Sequence, residues 1–128
     1  GKTVSIPQNS ILSFEGGSIQ NGKIVGRNTE INATSIKIFE GITFSGSWTG
    51  TFNAAWLGLK TEDKYFDNGV VINSIPFALF HKIYIPSGKL YFNWASWNFI
   101  ISSANFLSLD AVPAFNVSIF SLNFYFFP

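Results

Sequence analysis

Over roughly its first fifty residues the chain is a run of very short apolar–polar segments separated by Gly and Asn. The segments are 3–6, 11–14, 18–19, 23–25, 29–31, 36–39 and 42–44. Between them stand Pro7-Gln8-Asn9, Gly16-Gly17, Asn21-Gly22, Gly26-Arg27-Asn28 and Glu40-Gly41. Ile, Val and Phe alternate with Ser, Thr, Lys and Glu, the period of half-buried strands. Gly and Asn tolerate the positive φ that tight corners require. Strands this short do not bury a face as isolated hairpins. Stacked in parallel, each buries its inward residues against the next. Val4 and Ile6, Ile24, and Ile36 and Ile38 are the expected inward positions. The spacing is irregular, which excludes a strict hexapeptide or calcium-binding nonapeptide repeat. The competing arrangement is an antiparallel sandwich or barrel, in which Asn21-Gly22 is a hairpin turn.

At 128 residues the chain is one ordinary domain at most. Only 12% of its residues are charged, against about 25% in a typical soluble domain. A chain so poor in charge buries most of its surface or is incomplete. The net charge of +1 gives no electrostatic basis for nucleic acid or an anionic membrane surface. With no Cys, disulfide scaffolds and thiolate metal sites are excluded. The chain opens at Gly1 and contains no Met, as expected of a processed chain or an excised fragment.

Charge is unevenly spread. From Leu90 to Pro128 the sole charged side chain is Asp110. The division is therefore placed at 1–92 and 93–128, the second part being a hydrophobic, low-charge tail. A membrane-spanning helix needs about 20 predominantly apolar residues. Asn93, Asn98, Ser102, Ser103 and Asn105, then Pro113, Asn116 and Ser118, interrupt the tail too often for that. Phe115 to Ile119 and Phe120 to Phe124 alternate with period two, so further strands are expected. The alternative is a tail that is not native coding sequence, such as one read in a shifted frame. Between the two parts, Asp67-Asn68-Gly69 reads as a helix start with Asp67 as cap. Val71, Ile75, Ala78 and Leu79 would share one face, and Pro76 ends the helix near Ile75. The expected fold is all-β with one short α-helix near 67–75.

The order of the parts resembles a known family. Gly1 to Pro7 reads Gly-Lys-Thr-Val-Ser-Ile-Pro, and Leu12 to Ile19 carries Leu-x-Phe-x-Gly-Gly-Ser-Ile. Asn21 to Thr29 and Gly46-Ser47-Trp48 follow. These are similar to the N-terminal rungs of right-handed parallel β-helix proteins of the pectate-lyase-like superfamily. The version they most resemble occurs in gut Bacteroidetes and their phages, including tailspike-like proteins. Ala54 to Leu59 keeps that family's Trp and Gly but lacks its Pro-Glu, and Lys60 to Phe66 replaces its Gly-Asp-Gly loop. The likeness covers about residues 1–92 and implies an apparently truncated β-helix (β-solenoid). It further implies polysaccharide binding or cleavage, an extracellular, cell-surface or virion-tail location, and a homotrimer for a complete tailspike. Catalytic carboxylates of such proteins usually lie on central rungs or between subunits, outside this chain.

Individual candidates are few. Glu62, Asp63 and Asp67 form the one close acidic cluster. A glycosidase needs two carboxylates at a defined separation, which proximity in sequence does not supply. A solvated loop with a helix cap is the simpler reading, and the spacing lacks a calcium-loop pattern. His81 is the sole histidine and, without Cys, leaves too few ligands for zinc. Trp48, Trp56, Trp94 and Trp97 are alternatives between core packing and flat platforms for sugar rings. Of these, Trp56, Trp94 and Trp97 are the carbohydrate-binding candidates. Gly16-Gly17 is a corner, not a phosphate loop. No catalytic residue, metal or cofactor is assigned. The reading is a non-catalytic N-terminal part of a β-helix surface or tailspike-like protein that recognises polysaccharide, with no nucleic-acid partner and no membrane span expected. Two alternatives stand beside it: a fragment of a polysaccharide lyase or hydrolase whose active site lies elsewhere, and a small envelope-associated protein with a hydrophobic tail.

Overall fold

The structure, a computed structural model, describes residues 1–80, 82–86, 88–93, 117–119 and 122–127, the last two stretches by backbone alone. It is mostly strand with one short helix. The strands are β1 (Lys2–Ser5), β2 (Ile11–Ser13), β3 (Ile19–Asn32), β4 (Phe39–Thr49), β5 (Thr51–Asn53), β6 (Lys82–Ile85), β7 (Gly88–Asn93), β8 (Val117–Ile119) and β9 (Leu122–Phe127). A 3-10 turn spans Ala54–Leu57, and the helix α1 is Gly69–Asn73.

All of the described pairings between these strands are parallel. Lys2 lies opposite Gly22, and Ile19 opposite Phe39, each an offset of 20 residues. Ile11 lies opposite Glu30 and Thr29 opposite Trp48, each an offset of 19. Parallel partners in register point their side chains to the same face. Sheet one therefore places β1 and β2 along one edge of β3 and β4 along the other. The strands β5, β6 and β8 form a second ladder, and β7 and β9 a third. The antiparallel alternative is excluded. Asn21-Gly22 makes no hairpin but lies inside β3, with Asn21 at φ 56°.

Corners stack as the strands do. Asn9 and Asn28 both adopt positive φ, 59° and 55°, and Asn28 Nδ2 donates to Asn9 Oδ1 at 2.7 Å. The Asn28 amide donates in turn to Ser47 Oγ at 2.6 Å. Asn28 is also where the β3–β4 register slips, since Arg27 faces Ser47 and Thr29 faces Trp48. The bulge turns the chain without breaking the ladder.

The inward faces meet in an aromatic core. Phe39 packs edge-on against Phe14 (5.4 Å) and Phe44 (5.0 Å), and stacks on Phe52 (6.4 Å). Phe52 meets Trp56 and Phe80 at 5.2 and 5.0 Å, and Trp48 stacks on Phe80 at 5.6 Å. Of the expected inward residues, Ile24 and Ile38 are buried. Val4 and Ile36 are 53% and 45% exposed. Val4 does share its face with Ile24 and Phe44. It is exposed because no described strand lies on the other edge of β1.

The helix is shorter than 67–75. Its N-cap is Asn68, not Asp67, and Asn68 makes no side-chain capping bond. Val71, Ile72 and Ile75 are buried, whereas Ala78 is exposed.

Two substitutions test this packing by urea unfolding. Phe39→Ala removes a fully buried ring with three aromatic neighbours, and a loss of about 3–5 kcal/mol is expected. A Cβ on Gly26 would collide with the Trp48 ring and approach Ser47 O at 2.6 Å. Gly26→Ala is therefore expected to lower stability by about 1–3 kcal/mol. An unchanged midpoint in either variant contradicts the packing described.

Candidate functional site

Two places outside the core concentrate polar side chains. The first is the loop between the 3-10 turn and α1. Asn68 is fully buried there. Its Nδ2 donates to Lys60 O (2.9 Å) and Tyr91 O (3.2 Å), and its Oδ1 accepts from Lys60 N (2.9 Å). Its own amide also donates to Tyr91 O at 3.0 Å. One amide side chain thereby ties both ends of the loop together and to β7.

The acidic candidates serve the same joint. Glu62 Oε1 accepts from Lys89 N (3.0 Å), and Glu62 N donates to Lys89 O (2.8 Å). Asp67 Oδ1 accepts from Gly69 N and Asn93 N, both at 3.0 Å. Asp63 Oδ1 accepts from Tyr65 N at 3.1 Å. An oxygen of each carboxylate is thus engaged by backbone N–H groups. The loop is thereby tied to β7 at Lys89, Tyr91 and Asn93. Among the described residues, no three or more His, Asp or Glu side chains converge as a metal site requires. Tyr65 stands at the loop tip, 83% exposed, with Lys64 Nζ 5.3 Å from its ring centre.

The second place is an open groove of about 400 Å³ lined by Glu30, Ile31, Asn32, Ala33, Gly50, Thr51, Asn53, Trp56 and Tyr84. Register explains its composition. Thr51 lies opposite Lys82, and Asn53 opposite Tyr84. The intervening pair, Phe52 and Ile83, is fully buried. The side chains on either side of it alternate to the other face, where Thr51 is exposed and Tyr84 half-buried, while Asn53 is buried. Asn53 is fixed by two bonds: Nδ2 to Ser35 Oγ (2.7 Å), and Oδ1 from Ala55 N (2.9 Å). Glu30 and Asn32 are exposed, and Tyr84 is half-buried. Glu30 forms no ion pair among the described residues.

Trp56 is only 4% exposed, packs against Phe52 and donates from Nε1 to Thr34 O at 2.9 Å. Its ring is committed to the core, so it offers at most an edge to the groove and not a stacking face. Trp94, Trp97 and His81 lie outside the described residues. Glu30, Asn32, Thr51 and Tyr84 had no individual signal in sequence. Their signal is the outward phase of stacked strands, visible once the register is known.

A scan against family models matches none, and searches among curated proteins and solved structures match nothing. The resemblance to pectate-lyase-like chains therefore stands on the sequence motifs alone. Among the described residues no helix is long and apolar enough to cross a membrane.

Asn68 provides the sharpest test of the loop. Asn68→Ala strands buried backbone groups and is expected to cost about 3 kcal/mol or more, since several bonds are lost together. Asn68→Asp would set a carboxylate against two carbonyl oxygens out of water, raising its folded-state pKa. A raised carboxyl pKa makes stability fall as pH increases through that range. Urea midpoints should therefore show Asn68→Asp closer to wild type below about pH 4 than at neutral pH. A pH-independent deficit would rule out this buried carboxamide joint.

Proposed function

We propose that this chain forms the N-terminal rungs of a right-handed parallel β-helix and is a non-catalytic polysaccharide-recognition segment of a surface or tailspike-like protein. The fold part of the reading is supported by uniformly parallel pairing at offsets of 19 and 20 residues and by corners that stack Asn on Asn. The functional part is carried by the groove across β3, β5 and β6. It sets a carboxylate, a carboxamide, a hydroxyl and a phenol ring along one open depression.

Sugars are bound by that combination. Carboxylate and amide groups take paired hydroxyls, and an aromatic side chain covers the C–H face of a ring. Open grooves suit a polymer that enters and leaves at both ends. No pair of carboxylates faces a common space in the groove, where Glu30 is the sole acidic residue. Glycoside hydrolysis by the usual two-carboxylate route therefore has no counterpart there.

Titration with oligosaccharides prepared from plant and capsular polysaccharides, followed by calorimetry, tests the reading. Weak binding is expected, and Tyr84→Ala and Glu30→Gln should each reduce it about tenfold, equivalent to about 1.4 kcal/mol. Reducing ends should not accumulate during incubation. Binding that survives both substitutions would exclude the groove, and chain shortening would favour the enzyme alternative.

A further inference from the structure

The edge formed by β1 and β2 is the other feature with unspent bonding capacity. Each of these strands pairs with β3 and with no other described strand. Ile6 N and Phe14 N donate to Val25 O and Asn32 O on β3 (both 3.0 Å), and Ser10 O accepts from Glu30 N at 3.1 Å. Even-numbered residues thus direct their backbone groups to β3. By alternation, Thr3, Ser5, Ile11 and Ser13 direct theirs to the open edge. The even side chains Val4 and Leu12 share faces with buried Ile24 and Ile31. Val4 is nevertheless 53% exposed, and Leu12 is only partly buried.

We propose that a second copy of this chain covers this edge through a two-fold axis at the Pro7–Asn9 corner, making an antiparallel seam between the two β1–β2 edges. An axis bisecting the corner turns the copy over and lays its β2 beneath β1. Centred on residue 8, it sets Thr3 opposite Ser13 of the second copy and Ser5 opposite Ile11. These are the residues whose backbone groups point outward, as hydrogen-bonded antiparallel pairs require. It sets Val4 opposite Leu12 of the second copy, so both inward apolar side chains lose their water together. One register therefore satisfies both face and hydrogen-bond direction. The contact is isologous and closes on itself, which blocks the open-ended pairing that an exposed edge invites.

The test uses the full chain. Light scattering after gel filtration should give twice the chain mass, and Val4→Lys should halve it with an unchanged far-ultraviolet spectrum and melting temperature. Because the native sequence has no cysteine, a Ser5→Cys, Ile11→Cys double variant reports register directly. Mild oxidation should give a covalent dimer, whereas Ser5→Cys alone should not. A monomer at every concentration, a dimer indifferent to Val4→Lys, absence of the cross-link, or a ladder of larger species from head-to-tail stacking would each overturn the proposal.

Discussion

Parallel backbone hydrogen bonding at a nearly constant offset is the constraint on which the rest of the structure depends. When Lys2 stands opposite Gly22 and Ile19 opposite Phe39, each residue has its counterpart from the next repeat as its neighbour. Similar residues then stack. Val4, Ile24 and Phe44 form one column, and Asn9, Asn28 and Ser47 another. A slip of one residue would turn every inward side chain to solvent. The bulge at Asn28 is tolerated because it lies at a corner, where the offset changes from 20 to 19 without reversing a strand face.

That economy ends after β5. Thr51 is opposite Lys82, an offset of 31, and Ile83 opposite Val117, an offset of 34. The additional residues between β5 and β6 include the 3-10 turn, the loop through Asn68, and α1. Such a segment has no ladder of its own, so its backbone polar groups need other partners. The Asn68 side chain bonds Lys60 N and O from inside, and Lys89 O and Tyr91 O of β7 accept from Glu62 N and Asn68 N. The Glu62 and Asp67 carboxylates accept in return from the Lys89 and Asn93 amides. No buried side-chain nitrogen or oxygen among the described residues lacks a hydrogen bond. The acidic cluster is thus a structural joint. The candidate binding residues lie instead in the groove lined by β3, β5 and β6.

Much of the strand content was legible because period-two alternation and the Gly–Asn punctuation both follow directly from backbone sterics. The parallel stacking and a helix close to Gly69 could be read that way, whereas the breaks expected at Asn21-Gly22, Gly26-Arg27-Asn28 and Glu40-Gly41 lie inside the continuous strands β3 and β4. Nor could the exposure of Val4 and Ile36 be read. Alternation assigns a face, but Val4 lacks a described strand on the far edge of β1, and Ile36 lies in the bend between β3 and β4 and in no strand. Trp56 illustrates the same limit: a tryptophan in sequence can be a platform or a plug, and Trp56 packs on Phe52 and donates to Thr34 O as a plug.

The sequence by itself determined the local rules: which segments are extended, and that the chain carries too little charge to act through a strong field. These are properties of a residue and its immediate neighbours. The tertiary structure decided which segments share a register and hence which distant side chains meet. Glu30, Thr51 and Tyr84 line one groove although 21 and then 33 residues separate them, because β3 of the first sheet meets the β5–β6 ladder there. Asn68 becomes the centre of a loop only because β7 presents Tyr91 O to it. Long-range register is fixed by the combined fit of the whole core, and no single segment encodes it.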